Sequence, residues 1–458
     1  MFAEMARKRV APFVALCLAA ATATSADLAL AEASAGSYAL VADAGSTGTR
    51  VYLFHLPAGG KVDIQDMGKG PALSSFQAAP ENAHQAVAPQ LEKAKGLIPE
   101  GVRGAVPVSV FATAGMRLVS PSAQDAIYQG LTKGLLAAAG GFAFDAARLQ
   151  ARTISGREEG IFALVAANYL AKNLHTSLKA ATGSFMGVLD LGGSSTQIAV
   201  PPTLASGESL SAKLGEEHTF VRSFLNLGME HMRQRTFQRF VDRASVTARS
   251  RRAAPNPCSY YGYSEAEEAW RGTGEASACE AAVVAVLEDE RRTCASDAAK
   301  TAASECLSAS PVAVPAGGKG EPRFFLISGY MYVTDFAGWL LKQPGVLPEG
   351  FQGQERPFER PTIQELREAA AVLCAEPWAS LNALASDPAR KHKFTGAKKV
   401  PHRCFELNYI VALLSVGYGL PAEERLFHIV DDIDGGEIEW TLGAFLHGLN
   451  SAVARQEL

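Results

Sequence analysis

The sequence predicts an α/β protein made of two structurally similar halves. The first observation is a repeated local design. An apolar run, Tyr38-Ala39-Leu40-Val41-Ala42, ends in Asp43, passes through Ala44-Gly45-Ser46-Thr47-Gly48-Thr49-Arg50 and resumes as Val51-Tyr52-Leu53-Phe54. The same order returns 147 residues later: Phe185 to Leu191 with Asp190 near its end, then Gly192-Gly193-Ser194-Ser195-Thr196-Gln197, then Ile198 to Val200. Each copy reads as strand, glycine turn, strand, and recurrence of one design implies duplication. The second observation is that helical patterns alternate with these runs. The third is composition: 458 residues, 48 % hydrophobic and 20 % charged, a packed globular chain of two to four domains.

The elements follow in order. Val106 to Ala112 is a second kind of apolar run, closed by Thr113-Ala114-Gly115-Met116-Arg117. Residues 122–139 read as a helix. Ser155 suits an N-cap, and Glu158 and Glu159 suit the first turn of a helix running to about Leu170. Phe324 to Ile327 is a strand leading into Ser328-Gly329-Tyr330, and helical patterns follow at 362–374 and around Tyr409–Val416. A last helix opens at Glu439-Trp440-Thr441-Leu442-Gly443 and runs to about Ala454. Residues 242–257, 309–322 and 343–361, rich in Pro, Gly or basic residues, are loops.

The first 35 residues are set apart. Arg7, Lys8 and Arg9 precede an uncharged Ala-rich run, and Ala33-Ser34-Ala35 fits a cleavage site, the pattern of a secretory signal peptide, with an uncleaved N-terminal anchor as the alternative. No later run reaches the roughly 20 apolar residues that a span needs. Cys17 lies in the leader; Cys258, Cys279, Cys294, Cys306, Cys374 and Cys404 make an even set, so an exported chain carries up to three disulfides. Net charge is −4, which disfavours binding along a nucleic-acid backbone.

The two glycine turns carry the chemistry. Successive backbone N–H groups in such turns form anion-binding concavities, and Ser46, Thr47, Ser194, Ser195 and Thr196 add hydroxyls. Asp43 and Asp190 repel phosphate unless a divalent cation stands between them and it. Beside such loops a carboxylate from Glu158-Glu159 can act as general base for an attacking water. Arg117 is either a phosphate-binding side chain or one half of a surface ion pair.

Five segments in order resemble the conserved regions of the ecto-nucleoside triphosphate diphosphohydrolases, the apyrase family. They are Asp43–Arg50, Ala112–Arg117, Ser155–Gly160 with Ala167–Leu170, Asp190–Gln197, and Trp440–Gly443. The resemblance implies two RNase H-like, actin/hexokinase-type domains with the site in the cleft between them. The first domain would span 37–157 and be rejoined by 425–458; the second would span 158–424. It implies metal-dependent hydrolysis of nucleoside tri- and diphosphates with Ca²⁺ or Mg²⁺, by water attacking the terminal phosphate directly. Glu159 would activate that water, with Ser195 and Gln197 holding it. Gly45, Ser46, Thr47, Gly48, Thr113, Arg117, Gly192, Gly193, Ser194 and Thr196 would bind phosphate, and Asp43 and Asp190 the metal through water. Tyr332 would stack on the nucleobase. Crossed disulfides would pair Cys258–Cys294 and Cys279–Cys306, beside Cys374–Cys404. The chain would be secreted or lumenal; a Golgi nucleoside diphosphatase and an exopolyphosphatase-like phosphohydrolase are the alternatives.

Overall fold

Near-continuous apolar runs form strands covered on both faces, and the first two do so at once. Ser37–Gly45 (β1) and Gly48–Leu56 (β2) pair antiparallel, with Asp43 opposite Arg50 and Gly45 opposite Gly48, so Ser46-Thr47 is the turn of a tight hairpin. Asp63–Gly70 (β3) extends β2, and Val108–Ala112 (β4) joins β1 in parallel, followed by Leu149–Thr153 (β5) at the far edge. The sheet order is β3-β2-β1-β4-β5.

The second sheet repeats the plan. Gly187–Leu191 (β6), Ser195–Val200 (β7) and Phe220–Leu225 (β8) are antiparallel neighbours. After the short parallel ribbon of Ala254–Asn256 (β9) and Trp270–Gly272 (β10), Phe324–Ser328 (β11) joins β6 in parallel and Phe427–Ile429 (β12) joins β11. Read as β8-β7-β6-β11-β12, the order matches that of the first sheet, and Asp43 and Asp190 occupy equivalent strand ends. The main helices are Pro121–Leu136 (α1), Gly156–Leu170 (α2), Met229–Thr247 (α3), Ala276–Ala295 (α4), Gly329–Leu341 (α5), Ile363–Ala375 (α6), Arg403–Ala412 (α7) and Trp440–Gln456 (α8).

This computed structural model describes residues 37–456 apart from 138–142, 215–218, 248–252, 266–269, 298–304, 309, 316–317, 319, 344–357, 391, 431 and 434–435. The leader, Cys17 included, lies outside the described residues, as do parts of the three expected loops. Among the described residues no helix is long and apolar enough to cross a membrane.

The chain forms two compact units: residues up to Ala112 with Val119–Arg152, and Thr113–Leu118 with Thr153–Leu458. Residues 425–458, expected to rejoin the first domain, group here with the second unit. β12 pairs with β11 of the second sheet, and α8 lies along α2. The approach is close because Gly443 sits where a Cβ would come 1.9 Å from the Phe162 carbonyl oxygen, and Trp440 stacks on Phe162 at 6.3 Å. The core of the second unit joins Leu189, Ile198, Phe324, Leu326, Phe336, Phe405 and Tyr409.

The disulfides are Cys258–Cys279, Cys294–Cys306 and Cys374–Cys404. The expected crossed pairs Cys258–Cys294 and Cys279–Cys306 are therefore replaced by two consecutive, non-overlapping loops. Cys279 opens α4 and Cys294 closes it, about 22 Å apart at 1.5 Å per residue. The chain around Cys258 is tied to the N-terminal end of α4 by Glu275 N–H on the Pro257 carbonyl at 3.0 Å, while Cys306 follows the C-terminal end. Each cysteine thus meets the partner at its own end of the helix. Non-reducing peptide mapping of the mature chain is expected to recover these three links; a peptide joining Cys258 to Cys294 would contradict them.

Candidate active site

Helix α2 begins with a capping box. The Ser155 hydroxyl accepts from the Glu158 N–H at 3.1 Å, and the Glu158 carboxylate accepts from the Ser155 N–H at 2.8 Å. The two adjacent glutamates are thereby separated. Glu158 is consumed as a cap, and Glu159, one position on, turns into the protein with only 7 % of its surface exposed.

Around Glu159 the second unit assembles a polar array. Glu159 forms an ion pair with Arg117, carried by the short turn Ala114–Arg117. Its Oε2 also accepts from Gln197 Nε2 at 3.0 Å. Gln197 Nε2 lies 2.8 Å from Ser195 Oγ and 3.1 Å from Ser223 Oγ, and Arg117 Nη1 donates to Ser223 Oγ at 3.3 Å. Alternation along β7 explains the choice: Ser195 and Gln197 share one face, and Thr196 points to the other. Thr196 was expected among the phosphate donors, but its hydroxyl donates to the Asp190 carbonyl at 2.7 Å and meets Tyr418 OH at 3.0 Å. Its side chain ties strand to core instead.

The turn before β7 is held from behind. Carbonyls of Gly192, Gly193 and Ser194 accept from the N–H groups of Met229, Glu230 and Asn226 at 2.9, 3.0 and 2.9 Å. In a trans peptide the N–H points opposite its carbonyl. The N–H groups of Gly193 and Ser194 are therefore turned away from α3, as an anion-binding turn requires. In the first unit the Ser46-Thr47 turn is more exposed, with Asp43 half-buried at its base. Thr113 is buried at the head of the Ala114–Arg117 turn, where its carbonyl accepts from Met116 and Arg117 N–H.

Burial governs the electrostatics. Glu159 is pushed up to about 7 by desolvation, with Asp190 adding repulsion and the Arg117 guanidinium opposing both. Asp190 is also raised by burial, opposed by hydrogen bonds from the Ser328 hydroxyl and the Leu191 N–H. A carboxylate raised to about 7 can exchange a proton at neutral pH.

Several residues were not legible in the sequence. Ser223 faces Gln197 directly across the β7–β8 pairing, and that register has no local signal. It explains Gly156, where a Cβ would stand 2.0 Å from Ser223 Oγ and 2.7 Å from Arg117 Nη1. Ser328 adopts φ 56° at the N-cap of α5, a strained conformation for a serine, which keeps its hydroxyl on Asp190. Tyr332, on α5 and 37 % exposed, packs against Phe394 at 5.9 Å. Ser223→Ala is expected to lower kcat about tenfold with KM within twofold, since it removes one acceptor shared by two groups of the array; Ser223→Thr should recover most of the loss. An unchanged kcat in Ser223→Ala would exclude this role.

A duplicated α/β sheet, a phosphate-type turn and a neutral-range carboxylate define a phosphate-ester or anhydride hydrolase. The chain belongs to the GDA1/CD39 (nucleoside phosphatase) family, whose model matches residues 29–458, and it is an enzyme of that hydrolase family. It is 28 % identical to a guanosine-diphosphatase of Schizosaccharomyces pombe over 90 % of this chain and 74 % of that one. It is 27 % identical to ectonucleoside triphosphate diphosphohydrolase 2 of Mus musculus over 90 % and 82 %. Its fold resembles the crystal structure of nucleoside triphosphate hydrolases from Neospora caninum, with a TM-score of 0.56 at 16 % identity, covering 96 % of this chain and 97 % of that one.

Proposed function

We propose that this enzyme hydrolyses nucleoside tri- and diphosphates to monophosphates and phosphate, with a divalent cation. The observation that carries this reading is Glu159, buried, raised to about 7 and fixed by Arg117 and Gln197 beside the Gly192–Ser195 turn. Glu159 takes a proton from a water whose oxygen attacks the terminal phosphorus. A new P–O bond forms, the bridging P–O bond breaks, and the shortened nucleotide leaves with the electron pair. Ser195 and Gln197 orient the water; the N–H groups of Gly193 and Ser194 and the Arg117 guanidinium hold charge that develops on the phosphoryl oxygens. Tyr332 offers a face for the nucleobase, and within the first unit the Gly45–Gly48 turn is a second glycine turn of phosphate-binding type.

The donor set fits a hard cation. Two buried carboxylates, Glu159 and Asp190, stand against the single guanidinium of Arg117, and burial raises both. Among the described residues no three His, Cys, Asp or Glu side chains cluster as a metal cage. Mg²⁺ or Ca²⁺, which is held by one or two carboxylates with waters and phosphate oxygens, suits Asp190 in the second unit, and Asp43 is the corresponding carboxylate of the first. When bound, the cation neutralises phosphate charge. The leader pattern and three disulfides support a secreted or lumenal site of action.

The test is phosphate release from a panel of nucleoside tri-, di- and monophosphates and polyphosphate, with and without EDTA. Release from tri- and diphosphates alone is expected. Release from diphosphates only would select the diphosphatase reading, which the fission-yeast relative favours. Release from polyphosphate only would overturn both.

A further inference from the structure

Helix α5 presents Tyr332, Asp335, Phe336 and Trp339 at the spacing of one helical face. The segment His392–Phe394 lies against that face. His392 Nε2 is 3.0 Å from Asp335 Oδ2, yet the histidine side chain is only 4 % exposed while that of Asp335 is 51 % exposed. The ring is boxed by edges: Phe336 at 5.4 Å and 80°, Trp339 at 5.5 Å and 68°, Phe394 at 6.2 Å and 64°. On its other side, Nδ1 accepts from the Phe394 N–H at 3.2 Å. A backbone N–H only donates, so Nδ1 is the unprotonated nitrogen and Nε2 carries the proton toward Asp335.

These contacts close a circuit. Asp335 holds His392, His392 holds the Phe394 backbone, and the Phe394 ring meets Tyr332 at 5.9 Å. Tyr332 and Asp335 are three residues apart, so the chain of contacts begins and ends on one turn of α5. Packing alone would be met by an apolar residue at 392; a buried imidazole bonded at both nitrogens fixes where the Phe394 segment sits. That in turn limits the positions open to the Tyr332 ring, which is 37 % exposed. Preorganising an aromatic surface lowers the ordering cost that a ligand otherwise meets.

We propose that His392 and Asp335 are positioning residues that latch the Phe394 segment behind Tyr332, and so set the enzyme's preference for phosphate chains that carry a nucleobase over bare ones. The proposal rests on the reading of Tyr332 as the base-stacking residue. Stacking on an aromatic face is tolerant of base identity, so the latch governs the presence of a base more than its type.

The experiment compares KM for a nucleoside diphosphate with the competitive inhibition constant of inorganic tripolyphosphate, in the full-length enzyme. His392→Phe keeps an aromatic ring in the box and loses both hydrogen bonds. It is expected to raise KM about five- to tenfold, leaving kcat and the tripolyphosphate constant within twofold. His392→Asn retains an acceptor for the N–H two residues on and should return KM to within about twofold of wild type. Asp335→Leu, which removes the acceptor for Nε2–H at a half-exposed position, should raise KM two- to fivefold and carries the test should His392→Phe fail to fold. Tyr332→Ala separates the two readings. If it leaves KM unchanged, the base-stacking assignment fails and the latch with it. If Tyr332→Ala raises KM and the His392 and Asp335 variants do not, the latch alone is wrong. A parallel rise in KM and in the tripolyphosphate constant, or a His392→Asn variant as impaired as His392→Phe, would mean a merely structural role and would also overturn the proposal.

Discussion

Glu159→Gln is expected to cut hydrolysis by about 10²–10⁴-fold, the usual cost of losing a general base, while nucleotide affinity measured by calorimetry stays within a few-fold. The amide keeps the side chain's size and its place between Arg117 and Gln197 but cannot take a proton. The same group sets a pH dependence. The working form is the carboxylate, and burial raises its pKa to about 7. Activity should therefore fall as pH drops through the acid limb of kcat/KM, and Glu159→Gln should flatten that limb at its low residual rate. Glu158→Gln is the matched contrast. Glu158 sits in the capping box, where a glutamine still accepts from the N-cap N–H, so Glu158→Gln loses only the first-turn charge and should cost about 0.3–1 kcal/mol of stability, read by thermal unfolding, with kcat within threefold. A loss under threefold in Glu159→Gln would falsify the assignment, and a large loss in Glu158→Gln would exchange the two roles.

Chelation is the other large effect. Excess EDTA should abolish phosphate release, and Mg²⁺ or Ca²⁺ should restore it, because on the proposed reading Asp43 and Asp190, each at the base of its own glycine turn, would oppose a phosphate without a cation. Asp190→Ala and Asp43→Ala should each lower activity by about 10²-fold or more. Asp190 is the more informative position. Its carboxylate is buried, raised by desolvation, and met by hydrogen bonds from the Ser328 hydroxyl and the Leu191 N–H, an arrangement that keeps it aimed without neutralising it. Full activity in excess EDTA, or an Asp190→Ala enzyme within a few-fold of wild type, would remove the cation from the mechanism.

The chemistry-bearing residues were readable because their signals are local. A strand that ends in Asp and breaks into Gly, Ser and Thr announces a hairpin turn wherever it occurs, since glycine and hydroxyl side chains act on the next two or three residues. Thus Asp43–Arg50 and Asp190–Gln197 were placed on turns, and the Ser155 cap and the start of α2 were found, from neighbours within four positions. Amphipathic periodicity located the helices now bounded by Pro121–Leu136 and Ile363–Ala375 in the same way.

What lay beyond that range was decided by long-range packing. The local capping box already separates Glu158 from Glu159, but the partners that hold Glu159, Arg117 and Gln197, lie 42 and 38 residues away. Ser223 entered only when β8 took its register against β7, and Thr196 left the list of phosphate donors because pleating turned it toward Tyr418. The disulfides paired as neighbours because the length of α4 keeps Cys279 and Cys294 apart, a distance that cysteine order does not encode. The C-terminal segment joined the second unit because Gly443 and Trp440 fit the surface of α2. Local sequence specifies turns, caps and periodic faces, because those depend on dihedral preferences and short contacts; partners across the chain follow from the global minimum of burial and hydrogen bonding, which no window of residues contains.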